Sequence, residues 1–242
     1  MNVIEINNLT KLYKNNRGIK NISLTVEKGD ILGLLGPNGS GKTTAMKAVL
    51  NLVHSSGGIK VFGMDLNDNF EEIMQKTGAL IESPAIYKDM TAYQNVKMHA
   101  SLHPRIDKER IEHILDAVHL LNYKNDKAGR FSLGMKQRLG LAVAFVSDPE
   151  LIILDEPVNG LDIEGVVEIR EIIKRLNEEK NVTFLISSHM ASEIEKTCNK
   201  VAVMYEGELI AKSSTEEALR LHPSMEDYFL NVVKDKRGEI LI

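Results

Sequence analysis

A run of five apolar residues from Ile31 to Leu35 passes directly into Gly36-Pro37-Asn38-Gly39-Ser40-Gly41-Lys42-Thr43-Thr44, and from there into a stretch of helical spacing that extends to about Val53. Five residues with no polar partner read as a strand buried on both faces. The glycines that follow permit a tight curl of backbone that bulkier residues resist. Two glycines bracketing four residues, followed by lysine and a hydroxyl residue, form the pattern in which successive N–H groups turn inward towards phosphate oxygens. The helix that begins there adds its positive end. Lys42 is expected to reach the outer phosphates and Thr43 to offer its hydroxyl to Mg²⁺, with Gly36, Pro37, Asn38, Gly39, Ser40, Gly41 and Thr44 completing the cradle.

A second motif complements the first. Leu151-Ile152-Ile153-Leu154-Asp155-Glu156 is an apolar strand ending in two adjacent carboxylates, and open α/β sheets bind ligands at the carboxyl ends of their strands. Side by side the two repel each other unless a cation is near. Asp155 is suited to hold the metal, and Glu156 to orient or deprotonate an attacking water. A further strand ends at Ser187-Ser188-His189, bringing an imidazole to the same kind of edge. His54, His99, His103, His113, His119 and His222 read as ordinary surface or packing residues.

The remaining pattern organises around these motifs. Alternation through Val3, Ile4, Ile6 and Leu9, and again through Ile19, Ile22, Leu24 and Val26, predicts an early antiparallel sheet. From Thr91 to Val146 the spacing is helical, with Ile111, Ile114, Leu115, Val118 and Leu121 on one buried face. A helix over Val166 to Leu176 and strands over Val182 to Ser187 and Val201 to Tyr205 then alternate as in a parallel sheet covered by helices. Two short helices, Thr215 to Leu221 and Ser224 to Val233, close the chain, with Thr215 and Ser224 as caps. The expected class is α/β, a P-loop NTPase core with a mixed or parallel sheet flanked by helices. To it are added an N-terminal antiparallel β-subdomain and an inserted α-helical subdomain. The division is 1–81 with 150–212 for the nucleotide-binding core, 82–149 for the helical part and 213–242 for a C-terminal helical segment.

Bulk properties exclude several classes of function. A net charge of −4 and a pI near 6.0 provide no basic field for a nucleic-acid backbone, so nucleic acid is not an expected partner. The longest uncharged runs, such as Leu139 to Ser147, fall short of the roughly 20 apolar residues that cross a bilayer. Met1 to Ile6 alternates like a strand rather than a leader, and the single cysteine, Cys198, forms no internal disulfide. A cytoplasmic location is expected, with any membrane role played through a partner.

Phe131-Ser132-Leu133-Gly134-Met135-Lys136-Gln137-Arg138, a short helix before Asp155, resembles the signature segment of ATP-binding-cassette proteins. The usual core reads Leu-Ser-Gly-Gly-Gln; this chain keeps the serine and the second glycine and departs at Phe131, Leu133 and Met135. The likeness spans nearly the whole chain. It implies that Tyr13 stacks on adenine, that Asn159-Gly160-Leu161-Asp162 is the loop linking two active sites, and that His189 is the switch histidine. It implies two copies of the subunit, head to tail, each ATP lying between the phosphate loop of one and the signature of the other. Ser132 and the Gly134 backbone then donate to the terminal phosphate across the interface, and hydrolysis lets the halves part. A separate integral membrane permease completes the machine, which places this subunit on the inner face of the cell membrane.

Where most members carry a glutamine, Ala79-Leu80-Ile81-Glu82-Ser83-Pro84 has Glu82. This glutamate, the Ser-Leu-Gly-Met-Lys-Gln-Arg segment and the ending Ser224-Met225-Glu226-Asp227-Tyr228-Phe229 are similar to the branch that exports bacitracin and lantibiotics. Glu82 is open to three readings: a metal ligand, a coupling residue between the core and the docking surface around Pro84 to Asn95, or a tolerated exchange. The branch implies export of antimicrobial peptide for immunity or resistance. The alternatives are a transporter motor for a drug, lipid or ion, a soluble non-transport ATPase of the same family, and a nucleotide-gated switch that does not hydrolyse.

Overall fold

The computed structural model describes residues 1–14, 16–103 and 106–238. In chain order the strands and helices of the first half are β1 (Asn2–Leu12), β2 (Gly18–Glu27), β3 (Ile31–Leu35), α1 (Lys42–Val49), β4 (Ser56–Val61), β5 (Met64–Asp65), α2 (Phe70–Gln75), β6 (Thr77–Leu80), α3 (Ala92–Ala100) and α4 (Lys108–Ala117). There follow α5 (Leu133–Phe145), β7 (Leu151–Asp155), α6 (Ile163–Lys180), β8 (Thr183–Ser188), α7 (Ala191–Thr197), β9 (Lys200–Tyr205), β10 (Glu208–Ser214), α8 (Thr215–Leu221) and α9 (Met225–Arg237). The architecture is the α/β class expected. The elements group into two compact units, Met1–Met74 with Thr183–Ile242, and Gln75–Val182. These boundaries lie outside those expected at 81/82 and 149/150, because β6, β7 and α6 belong with the helices between them.

In the first unit, β2, β1, β4 and β5 form an antiparallel sheet in that order. Ile4, Ile6 and Leu9 pair with Val26, Leu24 and Ile22, and Ile4 and Ile6 also pair with Val61 and Ile59. All are buried, as the two-residue period of a strand requires when one face is covered. The wholly buried β3 pairs in parallel with β8 and β9, and β10 returns antiparallel to β9. A Cβ on Gly33 would stand 2.6 Å from Ile194 Cδ1 and 2.9 Å from Cys198 Sγ, so this glycine lets α7 lie against β3. The first helix stops at Val49, short of the expected Val53, because Asn51 turns left-handed at φ 54°. The cap of α8 is Ser214, not Thr215: Ser214 accepts from Glu217 N–H at 3.1 Å, while the Thr215 hydroxyl donates to the Cys198 carbonyl. Ser224 caps α9 as expected.

The second unit holds the parallel pair β6 and β7 with α3, α4, α5 and α6. Thr91 and Gln94 form a reciprocal capping box at α3. On α4 and just beyond it, Ile111, Ile114, Leu115 and Val118 are buried as expected, but Leu120 rather than Leu121 continues the core. His119 at φ 57° breaks the helical period and shifts the apolar face by one residue. A Cβ on Gly78 would lie 2.0 Å from the Ala144 carbonyl, and one on Gly140 would lie 2.7 Å from Leu80 and 2.8 Å from Pro84. These two glycines let α5 rest directly on β6 and on the segment after it. Among the described residues no helix is long and apolar enough to cross a membrane.

Candidate functional site

The first unit carries the phosphate loop, His189 and Tyr13. Leu35 and Ser188 are register partners in the parallel pairing of β3 and β8, and Gly36 donates its N–H to the Ser188 carbonyl at 3.3 Å. The loop and His189 therefore leave the sheet side by side. Gly41 stands ahead of α1 at φ 104°, and no side chain caps the helix, so the first N–H groups are left to other acceptors. The hydroxyl of Ser40, 2% exposed, has no hydrogen-bond partner among the described residues. Nothing lies within 4 Å of the position of a Cβ on Gly39, whose φ is 82°. Buried Lys42 extends its ammonium over the loop and donates to the carbonyls of Gly36 at 2.8 Å and Pro37 at 3.3 Å. An uncapped helix start, an unpartnered hydroxyl and a lysine held over the curl match what a polyphosphate requires. Thr43 and Thr44 sit in the first turn of α1. Tyr13 is 41% exposed in the β1–β2 turn, with the Lys11 ammonium 5.3 Å from its ring centroid.

The second unit carries Glu82, Ser132, Gly134, Asp155, Glu156 and Asp162. Leu80 and Leu154 are register partners, so Glu82 and the Asp155–Glu156 pair emerge from the same carboxyl end of β6 and β7. Asp155 is buried. Glu156 has φ 49° and Glu82 φ 64°, a left-handed conformation that costs a non-glycine residue on the order of 1–3 kcal/mol and persists only where the surroundings impose it. Ser132 caps α5, accepting from Met135 N–H at 3.1 Å, which leaves its proton to donate outward. A Cβ on Gly134 would meet nothing nearer than 4.0 Å, so its backbone is open to approach. Asp162 caps α6 through Gly165 N–H at 2.9 Å. A Cβ on Gly160 would lie 3.3 Å from Leu133, which sets the loop from Asn159 to Asp162 against the start of α5.

Among the described residues no group of three or more His, Cys, Asp or Glu is arranged to hold a metal. A magnesium ion carried on a nucleotide needs only one or two protein oxygens, since phosphates and water supply the rest.

A model of the family described as ABC transporter matches residues 19–159, more than half of the chain. The chain belongs to the ABC transporter family. It is 44% identical over 216 residues to the bacitracin transport ATP-binding protein BcrA of Enterococcus faecalis, covering 89% of this chain and 70% of that protein. It is 36% identical over 231 residues to the lantibiotic transport ATP-binding protein SrtF of Streptococcus pyogenes, covering 96% and 97%. Among solved structures, an ATP-binding subunit of an ABC transporter superposes with a TM-score of 0.83 at 25% identity, over 96% of this chain and all of the other. A bacterial ABC transporter cassette solved as a dimer superposes at 0.79 with 25% identity, over 88% and 98%.

The cassette contains contacts that sequence reasoning passed over. Met204 sets its carbonyl 2.2 Å from where a Cβ on Gly36 would stand, and Gly207 donates its N–H to the Ser40 carbonyl. The only local trace is Glu206-Gly207 between two alternating runs, a hairpin signal with no hint of its target. His54, His113 and His119 are exposed, and His222 bonds Asn231 at 2.9 Å. His99 and His103 line a cleft of 260 Å³ with Leu80, Pro84, Leu102 and Gly140. Burial holds the His99 imidazole below its ordinary pKa.

Proposed function

We propose that this ATPase of the ABC transporter family drives export of an antimicrobial peptide of the bacitracin or lantibiotic kind through a separate membrane permease, to which it binds on the cytoplasmic face. The observation that carries the reading is the pairing of a left-handed Glu82 at the end of β6 with likeness to bacitracin and lantibiotic transport proteins over most of the chain. In this scheme the loop from Gly36 to Thr44 binds the phosphates of ATP, with Lys42 turning from the loop carbonyls to the outer phosphate. Magnesium, when bound, neutralises phosphate charge, and Thr43 and Asp155 supply its protein oxygens. Glu156 accepts a proton from the attacking water, and His189 donates to the outer phosphate. Tyr13 stacks on the adenine. Ser132 and Gly134 serve the nucleotide of a second copy, head to tail, and Asp162 lies in the loop that links the two sites.

The test is expression with the cognate membrane subunit in a sensitive Gram-positive cell. Tolerance to a cationic or cell-wall-targeting peptide is expected to rise only when both subunits are present. Unchanged tolerance across a broad peptide panel, from a confirmed complex that hydrolyses ATP, assigns the motor to another cargo.

Glu82 is proposed to couple the nucleotide to the permease, acting either as a metal ligand or as a sensor of the phosphate. Its loop continues into Pro84, which rests on Gly140 of α5, and Ser132 caps the start of α5. A displacement at Glu82 is thus felt along the helix that starts at the signature, beside the surface around Pro84 to Asn95 where the permease is proposed to dock. Coupling requires that Glu82 favour one nucleotide state over the other. Glu82→Ala is expected to keep ATP binding and basal hydrolysis within a few-fold while peptide protection falls by most of its amplitude. Glu82→Gln should be milder, since the amide keeps one oxygen acceptor. Both replacements carry the same left-handed backbone cost, so the difference between them isolates the side chain. Equal loss of ATPase activity and protection makes Glu82 a catalytic residue, and loss of neither makes it a tolerated exchange.

A further inference from the structure

The turn between β9 and β10 touches the phosphate loop and the last helix at once. Gly207 donates its N–H to the Ser40 carbonyl at 3.1 Å, and its own carbonyl accepts from Lys20 N–H at 2.7 Å. A Cβ on Gly207 would stand 2.5 Å from the Gly18 carbonyl, so the turn is wedged in place and only glycine fits. Met204 brings its carbonyl against Gly36, and its terminal carbon would be 3.3 Å from a Cβ on Gly41. The end of this hairpin is the floor of the phosphate loop. Both turn residues are left-handed, Glu206 at φ 49° and Gly207 at φ 85°; for a glutamate that conformation persists only under outside constraint.

A two-residue hairpin turn needs positive φ at both of its central residues, and α9 braces the two residues that flank it. Tyr205 and Glu208 flank the turn and are register partners. The Arg237 guanidinium donates to the Tyr205 hydroxyl, from Nε at 3.1 Å and from a second N–H, and lies 5.2 Å from the ring centroid. Lys236 pairs with Glu208. A cleft of 350 Å³ opens between α9 and β10, lined by Leu209, Ala211, Val232 and Asp235 among others. At this end polar and cation–π contacts with Tyr205 and Glu208 add to the burial of Val233.

We propose that Arg237 and Lys236 are positioning residues for nucleotide binding, acting on the phosphate loop through the β9–β10 turn. The peptide joining Ser40 to Gly41 is planar and trans, so its carbonyl and its N–H point in opposite directions. Gly207 holds the Ser40 carbonyl, and this aims the Gly41 N–H the other way, into the curl of the loop. Loosening α9 frees the turn and lets that peptide rotate. Phosphate affinity then falls while the groups that perform the chemistry stay intact. The inference rests on the reading of this loop as the phosphate site for ATP.

The experiment uses the full chain with Arg237→Ala/Lys236→Ala, Arg237→Lys and Tyr205→Phe. Individually these surface contacts are modest, so the double variant is expected to raise KM for MgATP and Kd for ADP about 3- to 10-fold, with kcat within about twofold of the parent. Arg237→Lys, which keeps a cation and a donor beside the Tyr205 hydroxyl but not the guanidinium's paired N–H groups, should recover only part of the loss. A double variant with the parent's KM, or one in which KM and kcat worsen together, overturns the proposal. Should the double variant fail to fold, Tyr205→Phe decides alone, because it keeps the ring and removes only the oxygen: KM is expected to rise about twofold or more, and an unchanged value overturns the proposal. A parent chain that binds neither MgATP nor ADP fails before any variant is compared, and that result overturns the nucleotide reading itself.

Discussion

Glu156→Gln is expected to bind MgATP with near-parental affinity and to lose turnover by about 10²-fold or more, the loss typical of removing a general base. Glutamine matches glutamate in length and in one oxygen acceptor, but its amide does not take up a proton at neutral pH. The left-handed backbone of Glu156, φ 49°, carries a similar cost for both side chains, so the substitution leaves folding stability close to the parent's. Blocked hydrolysis should also trap the ATP-bound pair. Sizing chromatography with and without MgATP should show a dimer that appears only with nucleotide and outlasts the parent's. A variant that stays monomeric and turns over at near-normal rate removes Glu156 from the role of base.

The second large effect is expected at the signature. Ser132→Arg should abolish ATP-driven pairing while the isolated chain still binds nucleotide, because the phosphate loop lies in a different part of the sequence. The Ser132 hydroxyl accepts from Met135 N–H, so any replacement that cannot cap also costs about 1 kcal/mol of helix stability. Ser132→Asp separates the two effects, since aspartate caps as well as serine but opposes a phosphate with its charge. Losing a hydrogen bond to a charged group costs roughly 1.5–3 kcal/mol, or about 10- to 100-fold in pairing. Both variants should therefore lose the dimer and most turnover, and only the arginine variant should lose stability as well. If either hydrolyses ATP as fast as the parent, Ser132 makes no contact across the interface. If pairing fails in the arginine variant alone, the cap or the bulk of the side chain is responsible.

Much of this was legible because the motifs are contiguous. Gly36 to Thr44 is read from a glycine spacing with one low-strain solution, flanked by a buried strand and a helix, and the structure places it between β3 and α1. The β7 carboxylates were legible for the same reason, since a four-residue apolar run followed by Asp155-Glu156 has few other uses. Local signals faltered where a single backbone angle changes the outcome. Asn51 at φ 54° ends α1 early, and His119 at φ 57° passes the core position from Leu121 to Leu120. The cap at α8 moved by one residue because the Thr215 hydroxyl is taken by the Cys198 carbonyl, 17 positions away. The segment holding β4, β5 and α2 gave no strong periodicity, because strands of six and two residues and a helix with one buried side chain carry too few apolar positions.

The amino-acid sequence by itself determined the class of chemistry and the family, and it nominated the side chains proposed for phosphate, metal and water, because each depends on residue type at short spacing. Tertiary structure alone decided what supports them. Gly78 and Gly140 read as unremarkable until α5 is seen resting on β6, and the strain at Glu82 and Glu156 is a property of the backbone path. Gly207 meets Ser40 across more than 160 residues of chain. Such contacts follow no period, since they arise when separate elements pack and steric exclusion and hydrogen-bond satisfaction choose which backbone atoms face each other.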